Sequence, residues 1–194
     1  KKGTNQSVER FIFDHFPLET SYRCFTFFFP PMGSVTVCTQ LHFDSETFGL
    51  STVFSYSIQS CANEFQLRAQ VIRAFDHDDS WHPVCVSWSD GLNSTDSIGP
   101  DGLFIIGQEQ ETFGGSFKSE SFSGSVTELH IWDRVLDSSE IFTMEKKCSP
   151  VSSGLVFKWS KAAMEIENSL TKLVTERPCQ GTLIKMQLGN TERG

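Results

Sequence analysis

Hydrophobic and polar residues alternate with a period of two in several short segments, and this pattern limits the fold more than any other feature of the sequence. Phe65, Leu67 and Ala69 are separated by the polar residues Gln66 and Arg68. Successive side chains of a β-strand point to opposite faces, so each such segment has one apolar and one polar face. The same alternation occurs in residues 54–58, 84–88 and 155–159. Turn-forming pairs such as Asp-Gly and Gly-Gly separate the segments, and this arrangement predicts an all-β sandwich.

One segment is typical of a helix rather than of a strand. The run Asp-Ser-Ser-Glu at residues 137–140 has the pattern of a capping box, in which the first side chain accepts from backbone N–H groups and the glutamate reaches back. Ile141, Phe142 and Met144 then predict an apolar stripe along this helix. Residues 168–174 predict a second, short helix.

The composition limits the class of protein and its compartment. A length of 194 residues suits one well-cored domain, which we expect over residues 1–180, with 181–194 as a linker or vector-derived tail. The net charge of −8 leaves no basic face for binding nucleic acid. No apolar stretch approaches the roughly 20 residues that span a bilayer, so we expect no direct membrane insertion by these residues. Six cysteines and N-glycosylation sequons at Asn5 and Asn93 indicate an oxidising, extracellular compartment.

Three further segments occur in an order that points to one family. They read His-Pro-Val-Cys-Val-Ser-Trp over residues 82–88, Gly-Gln-Glu-Gln-Glu-Thr-Phe-Gly-Gly over 107–115, and Ser-Gly-Ser-Val-Thr-Glu-Leu-His-Ile-Trp-Asp-Arg-Val-Leu over 123–136. The first resembles the signature of the pentraxin family, the second its calcium loop, and the third the strand and turn before its single helix. The resemblance covers about residues 11–159. It implies a jelly-roll sandwich of two antiparallel sheets with one α-helix on one face.

The resemblance also implies a disulfide. Cys38 and Cys85 occupy the positions of the family's disulfide. Each lies out of register with the valines beside it, so both thiols can point to the same layer. The other four cysteines allow three pairings. Among these we favour Cys148 with Cys179 and Cys24 with Cys61.

The family's calcium loop is altered in this chain. The ligands that remain are Asn63, Glu109, the Gln110 carbonyl and Glu111. The altered positions are Ala62 for an aspartate, Lys118 for a glutamate and Ser121 for a glutamine. Calcium takes about six to eight oxygen ligands, and a lysine ammonium repels it. The sequence therefore predicts that the second ion site is lost and the first is weak or empty, so we expect no cofactor. Without an ion, Glu109 and Glu111 are expected to form a solvated acidic loop.

A shortened stretch bears on assembly. Residues 89–102 are fewer than in the family, where this stretch contains a hairpin and a loop that contacts the neighbouring protomer. A glycan at Asn93 would lie where that neighbour is expected. We therefore expect a two-fold homodimer, the commonest closed symmetry, rather than a closed pentamer.

These departures favour a receptor module over a lectin or an enzyme. Pentraxins that lack calcium ligands and part of the hairpin are most similar to the modules at the N-terminal tips of long-stalked adhesion G-protein-coupled receptors. The resemblance implies a non-catalytic extracellular adhesion or recognition module of a plasma-membrane receptor, with an unknown extracellular protein or matrix ligand as partner. One alternative is a secreted calcium-dependent pattern-recognition pentraxin that binds phosphocholine or glycans. The other is a glycosidase-related sandwich with Glu109 and Glu111 as paired carboxylates, which is disfavoured because the two residues follow the strand, in a loop with amide and glycine neighbours.

Overall fold

Strands dominate the part of the chain that the computed structural model describes, namely residues 6–13, 23–26, 29–43, 50–70, 80–89, 97–117, 122–147, 149–159, 171–177 and 184–187. The elements in chain order are β1 (Gln6–Phe13), β2 (Arg23–Thr26), β3 (Ser34–Phe43), β4 (Leu50–Ile58), β5 (Cys61–Gln70), β6 (His82–Ser89), β7 (Leu103–Ile106), β8 (Gln110–Thr112), β9 (Gly115–Phe117), β10 (Gly124–Trp132), α1 (Ser138–Lys147), β11 (Leu155–Lys158), β12 (Thr171–Arg177) and β13 (Ile184–Gln187).

The strands form two large sheets and a small hairpin. The larger sheet has the order β12-β1-β10-β3-β6-β13, with β11 also paired to β10, and the smaller has the order β2-β7-β4-β5. Strand β10 pairs with β1 along its first half and with β11 along its second half, while β3 lies on its other side. The pairings are antiparallel except for β6 with β13, which is parallel. The predicted all-β sandwich is confirmed, and the described residues contain one helix, α1.

The core lies between the two sheets and is rich in phenylalanine. Phe54 on β4 and Phe104 on the neighbouring β7 are fully buried, with ring centroids 5.1 Å apart. Phe29 and Phe157 each meet Phe104 edge-on, at 5.5 and 5.2 Å. Such aromatic pairs contribute about 0.5–1.5 kcal/mol beyond the area they bury. The alternation in the sequence thus identifies the inward face of β4 correctly.

A second apolar cluster lies on the outer face of the larger sheet, beneath α1. Its buried members are Cys38, Cys85, Trp132, Leu136 and Ile141. Cys38 on β3 and Cys85 on β6 are directly paired across the ladder, and their sulfurs form a disulfide. The helix therefore packs over the disulfide and its neighbours, outside the inter-sheet core.

The first turn of α1 has the hydrogen bonds of a capping box. Asp137 Oδ1 accepts from the backbone N–H groups of Ser139 and Glu140, at 2.7 and 2.8 Å, and Glu140 Oε2 accepts from the Asp137 N–H at 3.0 Å. Arg134 donates two bonds to the Glu140 carboxylate, at 2.9 and 2.7 Å. The Ser139 hydroxyl lowers the pKa of Asp137, and the bonds from Arg134 lower that of Glu140. The predicted helix start is confirmed.

Three local features differ from the sequence-based expectations. Thr171–Arg177 is strand β12 rather than part of a helix, because it pairs along its whole length with β1. Phe142 is 54% exposed, because its neighbour Ile141 faces the sheet and adjacent helix positions point about 100° apart. Ile184–Gln187, within the segment expected to be a tail, pairs with β6 as β13.

The proposed pairing of Cys24 with Cys61 is wrong. Cys61 carries a free, exposed thiol. Strands β2 and β5 lie three strand spacings apart in the smaller sheet, or about 14 Å, whereas disulfide-linked Cα atoms lie within about 7 Å. Four other residues with predicted modifications or pairings lie outside the described part of the chain: Asn5, Asn93, Cys148 and Cys179.

Candidate functional site

Residues 107–115, called the 107–115 loop below, cover part of the outer face of the smaller sheet. The loop leaves β7 at Gly107, whose N–H donates to the Val53 carbonyl of β4 at 2.8 Å. The φ of Gly107 is 93°, a conformation that favours glycine. Ser55 and Ser57, on the polar face of β4, are fully buried. Strand β4 is thus buried on both faces, although its sequence predicts one solvated face.

The side-chain amide of Gln110 joins the loop to β4 and is fully buried. Its Nε2 donates to the Ser55 hydroxyl at 3.2 Å and to the Leu103 carbonyl at 3.1 Å. Its Oε1 accepts from the Ser57 hydroxyl at 2.7 Å and from the Gly114 N–H at 3.2 Å. Both ends of the amide are satisfied, so hydrogen bonds within the protein fix the shape of the loop.

Glu109 is buried, in contrast to the solvated acidic loop that the sequence predicts. Its side chain is 1% exposed, and its Oε1 lies 2.5 Å from Nη2 of Arg68. Arg68 projects from β5, is 31% exposed, and donates from Nε to Gln66 Oε1 at 2.9 Å. A buried carboxylate is costly unless a cation or hydrogen bonds compensate its charge, and here the guanidinium supplies both.

The other predicted ion ligands lie on either side of this pair. Asn63, at the start of β5, is exposed, and its amide contacts the Gln66 amide and lies 3.0 Å from the Gln110 carbonyl oxygen. Glu111 follows on β8 and is exposed. The structure therefore brings Asn63, Glu109 and the Gln110 carbonyl together between β5 and the loop, and it leaves Glu111 on the surface.

This set of donors does not fit a calcium ion. Calcium takes about six to eight oxygens, with carboxylates prominent among them. The buried carboxylate, Glu109, is in contact with the positive charge of Arg68, and Ala62 offers no side-chain oxygen. Within the described residues, no group of three or more His, Cys, Asp or Glu could hold a metal. Lys118 and Ser121, the other altered positions, lie outside the described part of the chain.

Sequence reasoning missed the residues that hold the loop. Arg68 stood out only as a polar residue on an alternating strand, and its partner Glu109 lies in a distant segment. Ser55 and Ser57 likewise belonged to a face expected to meet solvent. The one available signal was charge, because an arginine on the same strand as Asn63 can reach an acidic loop.

Comparison with known proteins identifies a family and several relatives that are similar to this chain. The model of the Pentaxin family matches residues 14–173. The human adhesion G protein-coupled receptor D2 is 27% identical over 76% of this chain, which covers 19% of that receptor. Neuronal pentraxin-1 of Rattus norvegicus is 30% identical over 83% of the chain, which covers 45% of that protein. The chain thus spans less than half of these relatives.

Two solved structures share the fold. A native heptameric SAP-like pentraxin from Limulus polyphemus superposes with a TM-score of 0.69 at 18% identity, covering 87% of this chain and 95% of its own. The full extracellular region of zebrafish Gpr126/Adgrg6 gives a TM-score of 0.65 at 15% identity, covering 86% of this chain and 26% of its own. No helix in the described ranges has the length and apolar character needed to cross a membrane.

Proposed function

This chain belongs to the pentraxin family, and from that premise we propose that it is a non-catalytic extracellular recognition module of a cell-surface receptor, independent of calcium. The contact between Arg68 and Glu109 carries the proposal, because it places a fixed positive charge on the buried acid of the loop. In an adhesion receptor the module would bind an extracellular protein or a matrix component through surface contacts.

The extracellular setting has two supports. The disulfide between Cys38 and Cys85 is of the kind that persists in oxidising compartments. The similar adhesion G protein-coupled receptor D2 is a receptor, and the Gpr126/Adgrg6 structure that shares the fold is an extracellular region. On the basis of these relatives, we propose that this chain belongs to the extracellular part of a plasma-membrane receptor.

A non-catalytic role agrees with the chemistry of the loop. A glycosidase needs two carboxylates that share a substrate, one as acid and one as base or nucleophile. Glu109 is buried against Arg68, whereas Glu111 is exposed. Their environments differ because one is enclosed by the fold and the other faces solvent, and this arrangement disfavours a shared substrate.

Assembly is the second part of the proposal. We propose a two-fold homodimer, since the resemblance implies that the stretch at residues 89–102 is shorter than the family stretch that contacts a ring neighbour. Sedimentation equilibrium of the glycosylated protein tests this in excess calcium, in chelator, and in magnesium at matched ionic strength as the control. We expect the same concentration-dependent dimer in all three buffers.

Two results would contradict the calcium-independent recognition module, and a third would contradict the dimer alone. A pentamer that forms only in calcium, together with calcium-dependent retention on phosphocholine or polysaccharide resin, would identify a secreted pattern-recognition pentraxin. Hydrolysis of a polysaccharide that disappears in Glu109→Gln would identify a glycosidase. A monomer at high micromolar concentration would contradict the dimer while leaving the calcium-independent recognition module intact.

A further inference from the structure

We propose that a cleft between the two sheets, where β5 faces β3 and β6, binds a small amine that carries one aromatic ring. The ring would lie between the sheets and the ammonium group would bind Glu64. This inference goes beyond the function proposed above, which concerns contacts with an extracellular protein or matrix component. The cleft, called the inter-sheet cleft below, lies on the inner faces of the strands, so it involves neither the 107–115 loop nor a metal ion.

One wall of the inter-sheet cleft is the inner face of the larger sheet. Val35 pairs with Trp88, and Val37 with Val86, across the ladder between β3 and β6. All four residues line the cleft. Val35 and Val37 are buried, at 2% and 3% exposed, whereas Val86 and Trp88 are partly exposed. This wall therefore lies in the core at β3 and reaches the surface at β6.

The opposite wall is β5, the last strand in the order of the smaller sheet. Phe65 and Leu67 line the cleft from this strand, and both are partly buried against the core. The Phe65 ring meets the buried Phe54 ring edge-on, with centroids 5.2 Å apart, which holds the Phe65 ring in place. The lining is apolar on both sides, and its two polar members are Glu64 and Gln66.

The volume of the inter-sheet cleft is about 190 Å³, and the buried Ile98 completes its lining. Protein interiors contain few voids larger than a water molecule, and an apolar cavity of about 150 Å³ is large enough to bind benzene. One aromatic ring with a short chain therefore fits, whereas a fused ring system or a long acyl chain does not. Partly exposed aromatic side chains in the lining favour a ring, because aromatic pairs gain from edge-to-face contact.

Glu64 supplies a negative charge at one end of the cleft. It precedes Phe65 on β5 and is partly buried. Its Oε1 accepts a bond from the N–H of Gly99, the residue after Ile98, at 2.8 Å, and this bond fixes the direction of the carboxylate. A carboxylate has about four lone-pair sites, so an ammonium group can also donate to it. The net charge of −8 further favours the approach of a cation over that of an anion.

The test adds three ligands of similar shape to the isotopically labelled protein and follows the amide chemical shifts. Phenethylamine is a cation, phenethyl alcohol is neutral and hydrocinnamate is an anion. Glu64→Gln removes the charge from the cleft, and Glu111→Gln is its control, because Glu111 is exposed on β8. Val86→Phe and Leu67→Trp fill the cleft from opposite walls. Val135→Phe is their control, because it adds a ring at a position ahead of α1 that is 44% exposed.

We expect phenethylamine to bind the wild type with a Kd of about 1 mM and to shift the amides of Val86 and Ile98 to saturation. Phenethyl alcohol should bind about fourfold more weakly and hydrocinnamate about tenfold more weakly, with smaller differences at high salt. In Glu64→Gln the amine and the alcohol should bind equally. Val86→Phe and Leu67→Trp should bind none of the three ligands, while both control variants should behave as the wild type does.

Three results would overturn the inference. The first is a wild type in which none of the ligands shifts the amides of the cleft to saturation. The second is equal binding of phenethylamine and hydrocinnamate, which would mean that Glu64 does not select a cation. The third is the failure of both Val86→Phe and Leu67→Trp to fold while Val135→Phe folds, which would show that the cleft lacks room for a ring. If either filling variant folds and binds none of the ligands, the inference is supported.

Discussion

The two outer faces of the sandwich are covered in opposite ways. Over the larger sheet, α1 encloses an apolar cluster around Trp132 and the Cys38–Cys85 disulfide. Over the smaller sheet, the 107–115 loop is held to β4 by the Gln110 amide and two buried serines. Apolar packing has no preferred direction, so it is destabilised mainly by a loss of buried volume. A buried polar network is instead destabilised when a single donor or acceptor is changed.

The largest effect is expected on the apolar face. Trp132→Ala removes a fully buried ring and should lower the free energy of unfolding by about 3–5 kcal/mol in a urea titration. Trp132→Phe is the control, because it keeps a six-membered aromatic ring in place while losing less volume than alanine, together with the bond from Nε1 to the Val151 carbonyl, at 2.8 Å. If Trp132→Ala is no less stable than Trp132→Phe, the buried volume of the Trp132 ring does not stabilise the packing of α1 on the larger sheet.

A smaller effect is expected on the polar face. Gln110→Leu retains similar bulk but leaves the Ser57 hydroxyl, the Leu103 carbonyl and the Gly114 N–H without their partner, and should cost about 2–3 kcal/mol. Ser57→Ala removes one donor and should cost about 1 kcal/mol in the same titration. Equal stability of Gln110→Leu and the wild type would mean that packing alone covers β4.

The smallest effect concerns acid at the first turn of α1. Asp137 and Glu140 have lowered pKa values in the fold, from ordinary values of 3.8 and 4.5. Their contribution to stability is therefore present above those ordinary values and is lost as the pH falls through the lowered ones. The thermal midpoint of Asp137→Ala should fall less between pH 6 and pH 3 than that of the wild type. An identical fall in both proteins would show that the Asp137 carboxylate does not contribute to the loss of stability in acid.

Local features of this fold could be predicted from sequence, and distant contacts could not. The capping box at residues 137–140 was predicted because its partners lie within one helical turn. The inward face of β4 was predicted because alternation marks it. In contrast, the burial of Ser55 and Ser57 depends on a loop that comes some fifty residues later in the chain, at Gln108 and Gln110.

The residues of the candidate site also fall into those that could be predicted from sequence and those that could not. Sequence reasoning found Asn63, Glu109 and Gln110, since these match a family motif. It left Arg68 unassigned, because an arginine on an alternating strand is usually solvated, and only the fold brings it against Glu109. The choice of Cys61 as a partner for Cys24 failed because sequence order does not reveal which strands lie at opposite edges of a sheet.

The disulfide has a mechanical consequence. Cys38 and Cys85 lie on adjacent strands of one sheet and close a stretch with a sequence separation of 47. If the module is pulled by its two ends until the strands come apart, this stretch stays tied off while the bond is intact. It withholds about 160 Å of extended chain, at about 3.4 Å per residue. Stretching by a single-molecule tether should therefore release this additional length only after reduction, so that the bond sets how far the module can lengthen under load.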